Sequence, residues 1–127
     1  MLVGDIIDDE ATYTKPLLDI LQHLTATKGI FYVSGNHEFY IGYNTSMQLI
    51  REYNFTPLEN NGIQIDSVFI GGIPDIYASN RFGKLVDIKT TFKQAKKNSY
   101  QILMSHTPIK LPKETNIDLI VSGHTHC

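Results

Sequence analysis

Histidines and acidic or amide side chains recur in four short segments of this chain of 127 residues. The chain holds five histidines, and four of them fall within these segments. Imidazole nitrogens suit zinc, iron, nickel or copper, whereas carboxylate and amide oxygens suit manganese and harder ions. A site that mixes both kinds of ligand fits manganese, iron or zinc best. The candidate residues for such chemistry are Asp5, Asp8, Asn36, His37, His106, His124 and His126.

These candidates follow apolar stretches that predict β-strands. Four such strands are predicted, at Leu2–Val3, Ile30–Val33, Gln101–Met104 and Ile117–Val121. In the same order they lead into Asp5, Asn36, His106 and His124. In open α/β sheets, ligands bind beyond the carboxyl ends of the strands. We therefore expect the four segments to converge on one edge of the fold.

Helical patterns lie between these strands. Apolar spacing predicts one helix from Thr14 to about Ala26 and another that covers Leu85–Lys97. A helix between them is expected to begin at residues 44–46 and to end near Tyr53. The other predicted elements are strands at Thr56–Leu58, Gly62–Ile65 and Val68–Ile70 and a loop at residues 75–83. This order predicts α/β layering around a largely buried sheet.

The composition is that of one globular domain. Hydrophobic residues make up 42% and charged residues 19%, which excludes wholesale disorder. The net charge of −2 and the lack of any basic block longer than Lys96-Lys97 argue against a dedicated nucleic-acid binder. No apolar run reaches the ~18–20 residues that a membrane span needs. A single cysteine excludes an internal disulfide framework.

The four segments, in this order, resemble the signature blocks of the calcineurin-like metallophosphoesterases. Residues 4–8 match the pattern GDxxD, residues 35–38 match GNH followed by an acid, and residues 123–126 match GHxH. His106 matches a lone metal-binding histidine of that family. The resemblance implies an α/β fold, a four-layer α-β-β-α sandwich that is incomplete at both ends here. Residues 1–127 would then form part of one such domain.

The resemblance also implies a set of metal ligands. Asp5 should bridge two ions, and His126 should bind the first of them. Asn36, His106 and His124 should complete the shell of the second ion. The ions would be divalent manganese, iron or zinc.

Catalytic and substrate-binding roles follow from the same resemblance. His37 should donate a proton to the leaving group, and Asp8 should be its partner. Arg81 could touch a substrate phosphate, although a solvated charge is the favoured interpretation. Tyr40, with its aromatic neighbours, could form an apolar wall for the organic part of a substrate, and ordinary packing explains these rings equally well.

One block of the family pattern is absent. The family carries a DxH segment upstream of GDxxD, and only four residues precede Asp5 here. The first ion would keep only Asp5 and His126 as ligands from this chain. We therefore expect a longer parent protein that binds two ions, whereas this chain alone should bind one ion or none and be weakly active or inactive.

The expected activity of the parent is hydrolysis of a phosphate ester or pyrophosphate, with a metal-bound hydroxide attacking phosphorus. Its substrate would be a phosphorylated small molecule or a lipid-linked pyrophosphate, with no nucleic acid as partner. It would lie in the cytoplasm or at the cytoplasmic face of a membrane. Exposed sheet edges could promote self-association. The alternatives are a non-catalytic protein-binding scaffold derived from the same fold and a phosphoesterase that processes nucleic acids.

Overall fold

The computed structural model describes residues 1–8, 11–111 and 113–125. In this part of the chain, strands and helices follow one another in the order β1-α1-β2-α2-β3-β4-β5-α3-α4-β6-β7. The strands are β1 (Leu2–Val3), β2 (Phe31–Val33), β3 (Thr56–Pro57), β4 (Asn61–Ile65), β5 (Val68–Gly72), β6 (Tyr100–Ser105) and β7 (Leu119–Ser122). The helices are α1 (Ala11–Leu21), α2 (Asn36–Glu52), α3 (Ile76–Arg81) and α4 (Ile88–Thr91).

The strands form two separate sheets. The first sheet has the order β1-β2-β3, and all its strands are parallel, with Leu2 opposite Tyr32. The second sheet has the order β4-β5-β6-β7, in which β4 and β5 are antiparallel and β5, β6 and β7 are parallel. The carboxyl ends of parallel strands lie at the same edge of a sheet. Each sheet therefore delivers two of the polar segments, after β1 and β2 in one and after β6 and β7 in the other.

The two sheets pack face to face around a shared apolar core. Phe31 and Val33 of β2 form one buried cluster with Ile70 of β5 and Met104 of β6. At Gly72 the sheets come especially close, because a Cβ atom there would lie 2.7 Å from Cγ1 of Val33. A side chain at this position would push the two sheets apart.

Helices cover the outer faces of the sheets. Leu18 of α1 and Ile50 of α2 are fully buried and cluster with Tyr32 on the outer face of the first sheet. On the second sheet, Phe92 follows α4 and packs on Phe69, with the ring centroids 5.5 Å apart. The layers are thus helix, sheet, sheet and helix. This arrangement confirms the predicted α/β sandwich.

The start of α2 differs from the prediction. The helix begins at Asn36, inside a polar segment, because Gly35 is its N-cap and the Glu38 side chain completes a capping box. Gly42, with φ of 132°, then breaks the helix. The sequence pattern indicated only the part of α2 that follows this break, where the apolar residues pack on the core.

The predictions for the other helices are wrong in detail. α1 ends at Leu21 rather than near Ala26, since the residues that follow form single turns. The loop predicted at residues 75–83 contains α3, because the carboxylate of Asp75 accepts hydrogen bonds from the first backbone N–H groups of that helix. α4 covers only Ile88–Thr91, and the chain continues in turns up to β6.

Candidate active site

Asp5 lies in a tight turn directly after β1. Gly4 has φ of +85°, and a Cβ atom at Gly4 would lie 2.6 Å from Nδ1 of His106. Asp5 itself adopts the left-handed region, with φ of 51°. Gly35 faces this turn, and a Cβ atom there would overlap the Asp5 carboxylate. The two glycines therefore let the backbones following β1 and β2 approach closely enough to hold Asp5 in a strained conformation.

Glu38 holds this turn in place. Its carboxylate is fully buried, and Oε2 accepts hydrogen bonds from the backbone N–H groups of Asp5 at 3.1 Å and Gly35 at 2.7 Å. Oε1 accepts from the N–H groups of Ile6 and Ile7, at 3.0 and 3.1 Å. One carboxylate thus satisfies four backbone donors from two segments. We call this arrangement the Glu38 clamp.

His106 follows β6 and is almost fully buried. Its Nδ1 lies 2.6 Å from the backbone carbonyl oxygen of Val3. Because a carbonyl can only accept, Nδ1 must carry the proton and donate it. In the neutral ring, Nε2 then presents its lone pair, which is the form that binds a metal ion.

Three potential ligand atoms converge at this point. Nε2 of His106 lies 3.1 Å from Oδ2 of Asp5 and 3.1 Å from Nδ1 of His124. One ligand atom from each of the three residues lies within 4.8 Å of the others. His124 follows β7 and adopts φ of 65°. Lone pairs and negative charge that face one another in this way are stabilised by a cation between them.

Asn36 carries a further candidate ligand oxygen. It is the first residue of α2, and the backbone N–H of the next residue donates to Oδ1 of Asp5 at 3.1 Å. Oδ1 of Asn36 is buried, and no hydrogen-bond partner for it is found among the described residues. A buried amide oxygen without a partner is unfavourable unless a cation is bound to it. This unpaired oxygen and the converging ligand atoms fit a divalent metal ion.

The ionised forms of Asp5 and His106 stabilise each other. Burial opposes ionisation of Asp5, but the hydrogen bonds from His106 and from the His37 backbone outweigh it and lower the pKa of Asp5 below its ordinary value. Burial likewise opposes the charged form of His106, but Asp5 and the Val3 carbonyl raise its pKa. A proton on His106 therefore partly supplies the positive charge that this position favours.

His37 and Asp8 form a second pair beside this cluster. Nδ1 of His37 lies 3.1 Å from Oδ1 of Asp8. This contact uses Nδ1 of His37, and Nε2 is the other nitrogen of the ring. The exposed fractions of the two side chains are 38% and 68%, so the pair lies at an open surface.

The other predicted site residues that the structure describes are not among the side chains that converge at the ligand cluster. Tyr40 is 54% exposed, and the centroid of its ring lies 6.2 Å from that of His37. Arg81 is exposed at the end of α3, and no described contact joins it to Asp5 or His106. His126 lies outside the described residues.

Two buried acids carry roles that the sequence analysis missed. Glu38 was assigned no role beyond completing a motif, although its position three residues after the N-cap is the signal for a capping box. Asp75 is 1% exposed, caps α3, and accepts a hydrogen bond from the hydroxyl of Thr107. Thr107 directly follows His106, so Asp75 helps to fix the segment that carries this histidine.

The two-sheet sandwich and this cluster of ligands define a metal-dependent phosphoesterase fold. The family model for calcineurin-like phosphoesterases matches residues 1–127. The chain therefore belongs to the calcineurin-like phosphoesterase family. No solved structure was found to match it.

Similar proteins include bacterial and animal relatives. An "Uncharacterized metallophosphoesterase" of Helicobacter pylori is 33% identical, over 99% of this chain and 35% of that protein. One from Aquifex aeolicus is 32% identical, over 97% of this chain and 48% of that protein. A "Transmembrane protein with metallophosphoesterase domain" of Bos taurus is 29% identical, over 99% of this chain and 32% of that protein. The chain thus spans about a third to a half of the length of these relatives. None of the helices that the structure describes is long and apolar enough to cross a bilayer.

Proposed function

We propose that the protein hydrolyses a phosphate ester or pyrophosphate with the help of a divalent metal ion. The observation that carries this proposal is the convergence of ligand atoms from Asp5, His106 and His124 beside the His37–Asp8 pair. Membership of the phosphoesterase family supports the same class of reaction. The geometry separates residues suited to binding an ion from residues suited to moving a proton.

Four side chains would hold the ion. Asp5, His106 and His124 would contribute the converging atoms, and Asn36 would add its unpaired amide oxygen. A mixed nitrogen and oxygen set of this kind suits manganese, iron or zinc. When bound, such ions supply a Lewis acid for the phosphoryl oxygens and an activated water.

His37 would protonate the leaving oxygen through Nε2. Asp8 contacts Nδ1 and would fix the tautomer that carries a proton on this nitrogen, and it would stabilise the charged ring before transfer. The open position of the pair allows a substrate to approach His37. A phosphorylated small molecule or a lipid-linked pyrophosphate is the proposed class of substrate.

The proposal is tested by measuring bound metal and turnover in the same protein. Elemental analysis after dialysis against Mn²⁺ should find one ion per chain, and His106→Ala should lose it. His23→Ala is the matched control, because His23 is exposed outside the site. Hydrolysis of bis(p-nitrophenyl) phosphate is then assayed in the chain and in its parent protein. We expect turnover in the parent and little in the chain alone.

A protein that neither retains metal nor shows turnover in its parent form would contradict the proposal. That outcome would favour the alternative of a non-catalytic protein-binding scaffold. Retention of metal by His106→Ala would instead show that the converging atoms are not the ligands.

The location and assembly of the whole protein are further parts of the proposal. The name of the Bos taurus relative, a transmembrane protein, supports a parent protein attached to a membrane, and we propose the cytoplasmic face as its location. β1 and β7 lie at sheet edges among the described strands, and pairing of such edges would join two copies. Fractionation of cells that express the parent, and a sizing column for the chain, would test these two expectations.

A further inference from the structure

A groove opens along α2 beside the proposed site. Its volume is about 560 Å³, and its aromatic walls are formed by Phe39, Tyr43 and Phe82. Lys84 lines the same groove. It therefore combines apolar faces with one cation, a lining that would accept an organic anion better than an aliphatic chain.

A continuous strip of rings joins this groove to His37. The His37 ring neighbours Tyr40, and the Tyr40 centroid lies 6.3 Å from that of Phe82. Phe82 stacks with Phe39 at 5.9 Å, and Phe39 lies 4.7 Å from Tyr43. Tyr40 and Phe82 are each 54% exposed. Because the strip starts at the proposed proton donor, a leaving group released there would lie against these rings.

Lys84 is held at the far end of the strip by a network of its own. Its Nζ lies 3.6 Å above the centre of the Tyr43 ring. The Tyr43 hydroxyl donates to Oε2 of Glu59 at 2.8 Å, and Glu59 also accepts from the backbone and hydroxyl of Ser34. No described residue forms an ion pair or hydrogen bond with Nζ of Lys84. The ammonium is thus positioned by a ring and a nearby charge, and its donors remain available.

Two positive charges, on Lys84 and Arg51, lie near one carboxylate, on Glu59, at this end of the groove. Burial lowers the pKa of Lys84, while the negative charge of Glu59 acts in the opposite direction. Arg51 adds a second positive charge near Lys84. Tyr43 neighbours Glu59, and its pKa is raised by burial and by this carboxylate, so its hydroxyl stays protonated.

We propose that this groove is a subsite for the leaving portion of the substrate, and that Lys84 binds a second anionic group on it. The substrate would then carry a phosphate at the metal site, a flat ring or other apolar group against Tyr40 and Phe82, and a second phosphate or carboxylate at Lys84. This inference rests on the proposed function for the position of the first phosphate. It adds a specificity-determining residue and the chemical class of the leaving group.

Two probes that differ by one phosphate test the subsite. Phenyl phosphate carries a ring and one anionic group, and 1,4-phenylene bisphosphate carries a second anion across the ring. In the Mn²⁺-loaded protein we expect the bisphosphate to bind at least about tenfold more tightly, as one charge-assisted hydrogen bond would give. Calorimetry measures both affinities.

Variants of Lys84 decide whether this residue causes the preference. Lys84→Gln should abolish the preference and leave the affinity for phenyl phosphate unchanged, whereas Lys84→Arg should retain it. Lys89→Gln is the matched control, since Lys89 is exposed on α4. A preference that survives in Lys84→Gln, or the loss of both probes in that variant, would overturn the assignment.

A measurement without metal separates this inference from the proposed function. In chelator-treated protein, 1,4-phenylene bisphosphate should shift the ring NMR signals of Tyr43 and Phe82 in the wild type and not in Lys84→Gln. Unmoved ring signals would overturn the subsite even if the metal centre proves correct. Shifted signals, together with a failure of the protein to retain any ion after dialysis against Mn²⁺, would uphold the subsite and overturn the proposed function alone.

Discussion

The two ends of the proposed site are built in opposite ways. At the metal end, the His106 side chain is 2% exposed and is fixed by the Val3 carbonyl. At the proton-donor end, the side chains of His37 and Asp8 are 38% and 68% exposed. His37 contacts its acid through Nδ1 and Oδ1 of Asp8, whereas the Glu38 clamp makes four hydrogen bonds, three of them to the Asp5 turn and one to Gly35.

This difference matches what each end would have to do. Ligands must hold fixed positions around an ion, and a loosely held set binds weakly. A proton donor must instead reach a leaving group that enters from solvent. Changes at the metal end should therefore affect metal binding and folding together. Changes at the donor end should affect the rate and leave the fold unaltered.

The largest effect is expected at the donor end. His37→Ala in the metal-loaded parent should lower turnover of an alkyl phosphate about 10²–10⁴-fold, because the leaving oxygen loses its proton donor. Stability should change by less than about 0.5 kcal/mol, since the side chain is partly exposed. The loss should shrink for p-nitrophenyl phosphate, whose leaving group departs without a proton. Equal losses for both substrates, or loss of metal, would contradict the contrast between the two ends.

At the metal end, His106→Ala should weaken Mn²⁺ binding about 100-fold or more. The variant removes one ligand and also the hydrogen bond to the Val3 carbonyl. Competition with a fluorescent chelator measures the affinity. His23→Ala should bind Mn²⁺ as the wild type does. An equal loss of affinity in both variants would show that His106 is not a metal ligand.

The Glu38 clamp should contribute to stability directly. Glu38→Gln keeps the shape of the side chain but turns one acceptor oxygen into a donor that faces backbone N–H groups. The expected loss in the free energy of unfolding is about 2 kcal/mol, measured by urea denaturation without metal. Glu52→Gln is the control, because Glu52 lies exposed at the end of α2 and should change stability by less than about 0.5 kcal/mol. Similar losses in both variants would refute the clamp.

The smallest expected effect concerns Glu59, which lies outside the metal end and the proton-donor end of the site. Its carboxyl should make the free energy of unfolding depend on pH. Burial raises the pKa of this carboxyl above 4.5, against hydrogen bonds from Ser34 and Tyr43 that lower it. Because the folded pKa is the higher one, the contribution of Glu59 is fully present below about pH 4.5 and is lost as pH rises through the folded pKa. Relative to Glu59→Gln, the wild type should therefore lose stability on going from pH 4 to pH 7. A constant difference across this range would contradict the prediction.

Much of this architecture could be predicted from the sequence because it depends on local patterns. Short apolar strands ending in polar residues indicated the layering and the convergence of the segments that carry Asp5, His106 and His124. The start of α2 could not be read in this way, because it is set by the contact of Glu38 with a segment about thirty residues upstream. Lys84 was missed for the same reason, since its position depends on Tyr43 and Glu59 from other parts of the chain.

The break at Gly42 divides α2 into two parts with different attachments. Residues before the break contact the Asp5 turn through Glu38, and residues after it pack on the core through Met47 and Ile50. Gly42, with φ of 132°, interrupts the helical backbone. A movement of the first part of α2 is therefore transmitted less strongly to the second part. In amide hydrogen exchange, the first part of α2 should therefore open together with residues 5–7, while the second part should exchange with the slow amides of β2. The site would then be able to loosen locally while the sandwich beneath it stays folded.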